Sequence, residues 1–401
     1  MNTAVCRCNN HVPAWLRLVQ ALLLALLCLG GGYRAEAAPA ANAADDLQRQ
    51  ILAGQDALYQ GDFTAALQTF TALTQAHPTD PKGYFFLALT YRWLTRVDPE
   101  AAEYQQQFEQ TAATTIRLAQ SLLAEEGQQV EALLYLAAIY GYRAEYYNFA
   151  KERWSKAYDD GVKMREYLEK AAKLSAADNL DVQLGYGLYN YYAYFYREKI
   201  GWWRFLLSLP KGDKQKGLAQ IRLVREKGTY LKVEAWYFLV EIYKKDKELA
   251  AQAVPLCEEL HQAYPAHPFF HIFLAGLYHQ HRDWQKSRQT GLEILARAET
   301  NPAYASDFIR YQARYLIGES SFYLGQYPEA LQQFDAIAAA RPSQPAYLVP
   351  WAHLRRGAIY DLTGKKREAA AEYKLVLASE DVFKVHEMAE GLLKVQQNKG
   401  N

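Results

Sequence analysis

Five of the nine histidines, His261, His267, His271, His279 and His281, crowd into one short stretch beside Cys257. Cys257 and His261 are four residues apart and share a face if that segment is helical. A thiolate and imidazoles in this arrangement suit a soft metal, with His267 or His271 of a following helix as a further ligand. A packing role competes with that chemistry. Cys257 stands where Phe70 and Phe334 stand in other segments of similar pattern, and a free Cys serves well as a small buried apolar group. His267 precedes Pro268 between helices, and His279 and His281 flank a turn, so packing is the favoured reading.

Other chemistry is sparse. The chain has no G-x-G-x-x-G after a strand pattern, no Walker-type loop, no G-x-S-x-G and no H-E-x-x-H. Gly212-Asp213-Lys214 lacks the glycine spacing and the preceding strand of a phosphate loop, and reads as a surface turn. The expectation is therefore a non-enzyme without a cofactor. A metal-binding or enzymatic protein centred on residues 257–281 is the second alternative.

The most distinctive segment is aromatic. Tyr186-Gly187-Leu188-Tyr189-Asn190-Tyr191-Tyr192-Ala193-Tyr194-Phe195-Tyr196 places rings on every side of a helix, and Trp202, Trp203, Arg204 and Phe205 follow. The apolar stretch is too short to span a bilayer. Trp202, Trp203 and Phe205 suit either a plug folded over the rest of the chain or an interfacial foot on a membrane. The plug is favoured, and the foot is the first alternative function.

The elements that must position these groups are helical almost throughout from Leu47 onward, broken by short Gly, Pro and Asp punctuation. One order of residues recurs. Gln312 to Pro345 contains Ile317-Gly318, Phe322, the turn Gly325-Gln326-Tyr327, Ala330, Phe334, Ile337 and Pro342. The same order appears as Gly54, Gly61-Asp62-Phe63, Ala66, Phe70, Leu73 and Pro78, and as Gly357, Tyr360, Gly364, Ala369, Tyr373 and Val376. A small residue in the first helix admits a close second helix, and Ala marks their crossing. Looser units begin at Leu87, Leu136, Leu184, Trp236 and Leu274, one with an extended middle over 142–160. A final helix from Val382 to Gln396 caps the last apolar face.

This order resembles the tetratricopeptide repeat family, whose unit is a helix pair of about 34 residues. The resemblance implies an all-α, right-handed superhelical solenoid of about seven such hairpins with a C-terminal capping helix. Residues 47–180 would hold units with lengthened helices, 181–230 the Tyr/Trp-rich unit, and 231–401 the regular C-terminal units. The aromatic helix, the apolar insert, Leu209-Pro210 and Gly212-Asp213-Lys214 are also faintly similar to eukaryotic repeat proteins of the mitochondrial outer membrane.

In that family, first-helix residues that do not pack on the second helix line a concave face and bind extended peptides. By register the resemblance assigns this role to Tyr237, Glu241, Lys244, His279, Tyr315, Glu319, Phe322, Tyr323 and Trp351. The family's basic clamp for a C-terminal carboxylate is not matched, since Glu or Tyr stands at those positions. The implied partners are other proteins or peptide segments, with a membrane surface as an option and oligomeric state open.

The N-terminus reads as an export signal over 1–40, followed by a flexible leader over 41–46. Arg7 and Arg17 precede an apolar run from Leu18 to Leu29, and Ala35-Glu36-Ala37 or Ala38-Pro39-Ala40 offers a cleavage site. Leu27 directly before Cys28 argues against lipid attachment there. The expectation is a periplasmic or cell-envelope scaffold that keeps only Cys257 of its 4 cysteines and so forms no internal disulfide. A net charge of +1 supplies no field to attract nucleic acid.

Overall fold

The computed structural model describes residues 38–149, 153–174, 180–200 and 212–400. The chain divides into two units, Met1–Arg49 and Gln50–Asn401. Of the first, only residues 38–49, the opening turns of a helix, are described; the second holds the rest of the fold.

Helices pair in chain order: α1 (Ala38–Tyr59) with α2 (Phe63–Ala76), α3 (Pro81–Val97) with α4 (Ala102–Leu122), and α5 (Gln129–Phe149) with α6 (Trp154–Lys173). Next come α7 (Val182–Ile200) with α8 (Lys214–Lys227), α9 (Lys232–Lys245) with α10 (Ala253–Ala263), and α11 (Pro268–Gln280) with α12 (Trp284–Ala298). The last pairs are α13 (Asp307–Tyr323) with α14 (Tyr327–Ala340) and α15 (Leu348–Leu362) with α16 (Lys366–Leu377), before α17 (Val385–Gly400). Among the described residues this is an all-α solenoid of eight tetratricopeptide-like hairpins and a cap, one for each of the three clear and five looser units in the sequence, where the family resemblance implied about seven. The degenerate units keep the pairing without keeping the marker residues.

The recurring glycines explain how the clear hairpins close. A Cβ added to Gly54 would meet the ring of Phe70 at 2.6 Å, at Gly318 that of Phe334 at 2.8 Å, and at Gly357 that of Tyr373 at 2.4 Å. Each second-helix ring thus fills a gap that only a missing side chain leaves open. Ala66, Ala330 and Ala369 are fully buried at the crossings. Asp62, Asp213 and Asp283 accept the backbone N–H three residues on and cap α2, α8 and α12. That capping is the role of Gly212-Asp213-Lys214, with Lys214 held by Asp246 and Glu248 at 2.8 and 2.7 Å.

Three expectations about local structure differ. The leader over 41–46 lies within α1, as Ala-rich sequence favours helix strongly. The extended middle over 142–160 is mostly helix: α5 runs to Phe149 and α6 begins at Trp154. Burial of Tyr142, Tyr146 and Tyr147 on α5 repays the continuation. The cap begins at Val385 rather than Val382 because Phe383 and Lys384 take left-handed backbone angles.

The solenoid also turns back on itself. Hairpins 1 and 2 pack against hairpins 5 and 6, far away in sequence. A Cβ at Gly61, whose φ is +80°, would stand 2.5 Å from the Ala266 carbonyl. Gln55 donates to the Tyr230 carbonyl at 2.6 Å, and Ser306 to that of Val97 at 2.7 Å. The Thr229–Leu231 linker is pinned by Asp181, whose carboxylate accepts all three backbone N–H groups at 2.9 to 3.1 Å.

Candidate partner-binding face

First helices of successive hairpins lie side by side, so α11, α13 and α15 present adjacent faces. The centre of this ladder is Glu319 on α13, which is 1% exposed. Arg355 on α15 grips it with a two-pronged contact, Nη2 donating to Oε2 at 2.8 Å and Nε to Oε1. His279 on α11 brings Nε2 to 3.7 Å from the same carboxylate, an ion-pair rather than hydrogen-bond distance. Burial pushes the Glu319 carboxyl up, yet His279 and Arg355 outweigh it and hold the group below its ordinary range. The carboxylate is therefore an internal anchor rather than a hand held out to a partner.

Around that anchor the rings form a continuous layer. The Arg355 guanidinium lies over Phe322 at 4.8 Å, Tyr323 at 5.2 Å and Trp351 at 5.6 Å. It also donates to the Tyr323 hydroxyl at 2.9 Å. Tyr323 stacks on Trp284 with centroids 4.2 Å apart and planes 15° apart, and Trp284 meets His279 edge-on at 5.1 Å. Tyr323 is 47% exposed, while Phe322, Trp351, Trp284 and Arg355 are half-buried. Rigid aromatic surface fixed by a cation, with one edge open, is the form of a recognition hot spot.

Of the nine residues that register assigned to this face, the structure brings together His279, Glu319, Phe322, Tyr323 and Trp351. Tyr315 lies beneath them at 9% exposure, edge-on to Phe334 and Tyr347, where burial drives its hydroxyl well above the ordinary tyrosine range. Tyr237 is 2% exposed and packs on Trp93 and Phe238 inside the solenoid. Those two tyrosines are closed off because neighbouring turns of the chain cover them. Glu241 pairs with Lys244 at 3.1 Å and Lys245 at 3.0 Å, and Lys244 lies over Phe273 at 4.8 Å. Despite burial, which raises it, those lysines keep the Glu241 carboxyl below its ordinary range.

Sequence reasoning missed Arg355 and Trp284. Arg355 stands four residues after Trp351 on the same helix face, a signal that was available. Trp284 opens α12 and reaches the layer only because Arg282, at a left-handed φ of 62°, turns the chain there without a glycine.

The Cys/His stretch has a packing explanation at most of its positions. Cys257 is fully buried, and burial pushes its thiol up. His267 caps α11 by accepting the Phe270 N–H at 3.4 Å, and its ring stacks on Phe270 at 4.1 Å. Burial pushes this imidazole down to about 3. His261 and His271 stack face to face at 4.3 Å. Among the described residues no three Cys, His, Asp or Glu side chains are grouped as a metal would need.

Trp202, Trp203 and Phe205 lie outside the described residues, as does the N-terminal segment through position 37. On α7, Tyr191 is buried with its hydroxyl 3.2 Å from Asp246, while Tyr194 is exposed. No described helix is long and apolar enough to cross a membrane.

No family model matches the chain. No curated protein matches it either. Solved structures that align with it include the human IFIT1 dimer with PPP-AAAA, at 15% identity and a TM-score of 0.42 over 80% of this chain and 69% of that one. Yeast Tom70 aligns at 10% identity and 0.42 over 86% and 88%, and the P58(IPK) TPR domain at 14% and 0.22 over 88% and 99%. At these scores the likenesses lend no argument about function.

Proposed function

We propose that this protein is a non-catalytic scaffold of the periplasm or cell envelope that binds a protein segment across α11, α13 and α15. The observation that carries the reading is the Trp284–Tyr323–Arg355–Trp351 layer, preorganised around buried Glu319 and open along the Tyr323 edge. Such a surface binds by shape and ring contact at small ordering cost, and breaks no bond. The basic, apolar and small-residue order of the N-terminus supports export.

A photo-reactive residue in place of Tyr323, with Tyr158 as an exposed control on α6, tests this in cells. Protein adducts at position 323 that are absent at 158 are expected. Equal adducts at both positions, none at either, or adducts to nucleic acid would overturn the reading. Immunodetection of the mature chain in the envelope fraction tests location, and retention with the cytosol would refute it.

A further inference from the structure

The last element of the solenoid, α17, carries a feature that neither the fold nor the aromatic layer uses. Its inner face closes the stack, with Val385 and Ala389 fully buried in one cluster with Leu354 and Tyr373. A capping element ordinarily turns a polar face to solvent. This one turns out Met388 at 42% exposure and Val395 at 50%, with half-buried Leu392 between them. At spacings of i, i+4 and i+7 the three form one apolar stripe, about 10 Å long at the helical rise.

Gly391 lies on the same stripe without a local reason for being glycine. A Cβ there would meet nothing within 4 Å, so the chain's own packing does not require the missing side chain. Glycine also weakens a helix interior. A second helix crossing the stripe closely would require it.

The charges beside the stripe select which helix that is. Glu387 and Lys394 are exposed, seven residues apart on one flank, and neither joins an ion pair among the described residues. Within one helix they stand about 10 Å apart, too far to meet. In an antiparallel pair of α17 helices crossing near Gly391, Met388 of each copy faces Val395 of the other. Glu387 of each then comes within reach of Lys394 of the other. The two contacts are equivalent, as a two-fold, self-complementary interface requires. A parallel pair would instead set Glu387 against Glu387. A lipid surface fits less well, because Glu387 and Glu390 are exposed on the outer side of α17, where a helix lying on a membrane carries Lys and Arg.

We infer that the outer face of α17 pairs two copies of this chain, antiparallel and related by a two-fold axis. Few side chains take part, so the association is weak and depends on concentration. The inference uses no residue of the α11–α15 face and stands independently of the partner-binding reading.

Analytical ultracentrifugation of the full mature chain in low salt, from about 1 to about 200 µM, tests it across the range of weak association. The average mass should rise toward twice that of the monomer. Val395→Glu should weaken association on the order of tenfold or more, as a charge is buried in the stripe. Gly391→Gln should melt no lower than the parent chain and still associate more weakly. Glu387→Lys and Lys394→Glu should each weaken association about fivefold, since like charges then meet at both contacts. The double variant carrying both reversals should restore it. Thermal melting followed by circular dichroism confirms that each variant folds. A monomer throughout the range would overturn the inference, whether the chain then floats with phospholipid vesicles or captures a different protein. So would a dimer that Val395→Glu leaves intact, or a double charge reversal that associates no better than the single ones.

Discussion

Two regions of this molecule use the same chemistry to different ends. In the seam between hairpins 1–3 and 5–6, Glu234 is fully buried. It accepts from Arg92 at 3.0 Å, Trp93 at 2.7 Å and Tyr59 at 3.1 Å. Glu145 takes the other side of Arg92, with Nε at 2.6 Å, and also pairs with Arg96. On the α11–α15 face, Glu319 is held by Arg355 and flanked by rings in much the same way. The difference is what lies outside. The Arg92 group is covered by Tyr142, Phe238 and the Trp93 cluster, whereas the Arg355 group ends at exposed Tyr323. A carboxylate–arginine–aromatic unit closed on every side staples distant segments together. The same unit with one open edge becomes a surface prepared for a partner.

Acid should separate the two regions most strongly. Burial pushes His267, which packs on Trp93 in the seam, down to about 3, and does the same to His271, which lies outside the seam against His261 and Tyr304 and adds to the acid loss of the whole fold. Their folded-state values lie below the unfolded ones, so their contribution is full above about pH 6.5 and is lost as pH falls toward 3. The loss is on the order of 4 kcal/mol for each by the bottom of that window. Glu319, held below 4.5, keeps its contribution until the pH drops under that value. Urea unfolding at pH 7 and pH 4.5 checks this. A midpoint unchanged between them would refute it, and His267→Gln should flatten the dependence.

Next in size, Glu234→Ala leaves buried Arg92 Nη1, the Trp93 N–H and the Tyr59 hydroxyl without their acceptor and Arg92 with Glu145 alone, and should destabilise by about 3 kcal/mol. A loss under about 1 kcal/mol in denaturant titration would show that the seam is not a staple. Gly54→Ala and Gly318→Ala, one in each region, should each cost about 1–3 kcal/mol because the new Cβ strikes a packed ring. Unequal costs would mean that the two hairpins are built differently after all. The smallest stability effect belongs to Tyr323→Ala, within about 0.5 kcal/mol by thermal melting, with partner binding weakened on the order of tenfold. Unchanged binding in a calorimetric or pull-down titration would remove the distinction between the regions.

Much of the architecture was legible at particular residues. Gly54, Gly318 and Gly357 announced their ring partners through a fixed offset, as helix pairing is local and the 3.6-residue period is visible in one dimension. Residues 142–149 were read as part of an extended middle over 142–160 rather than as the end of α5, because Tyr-rich helix lacks a polar face, which is the pattern that marks a surface helix. The candidate face was legible in part: Phe322, Tyr323 and Trp351 stood out by register. Tyr237 and Tyr315 carried the same signal and are covered by neighbouring turns. Register tells which way a side chain leaves its helix and nothing about what the next turn lays over it.

By itself the sequence determined the helices, their pairing and the spacing of small and aromatic residues that closes the clear hairpins. These depend on contacts within a few tens of residues, which the chain records directly. The tertiary structure alone decided that Arg92 and Glu234, far apart in sequence, would meet in a sealed seam, and that Arg355 and Trp284 would frame Tyr323 at an open edge. Whether an aromatic–cation unit is a staple or a binding surface is a matter of solvent access. Access is set by the path of the whole solenoid rather than by any one repeat.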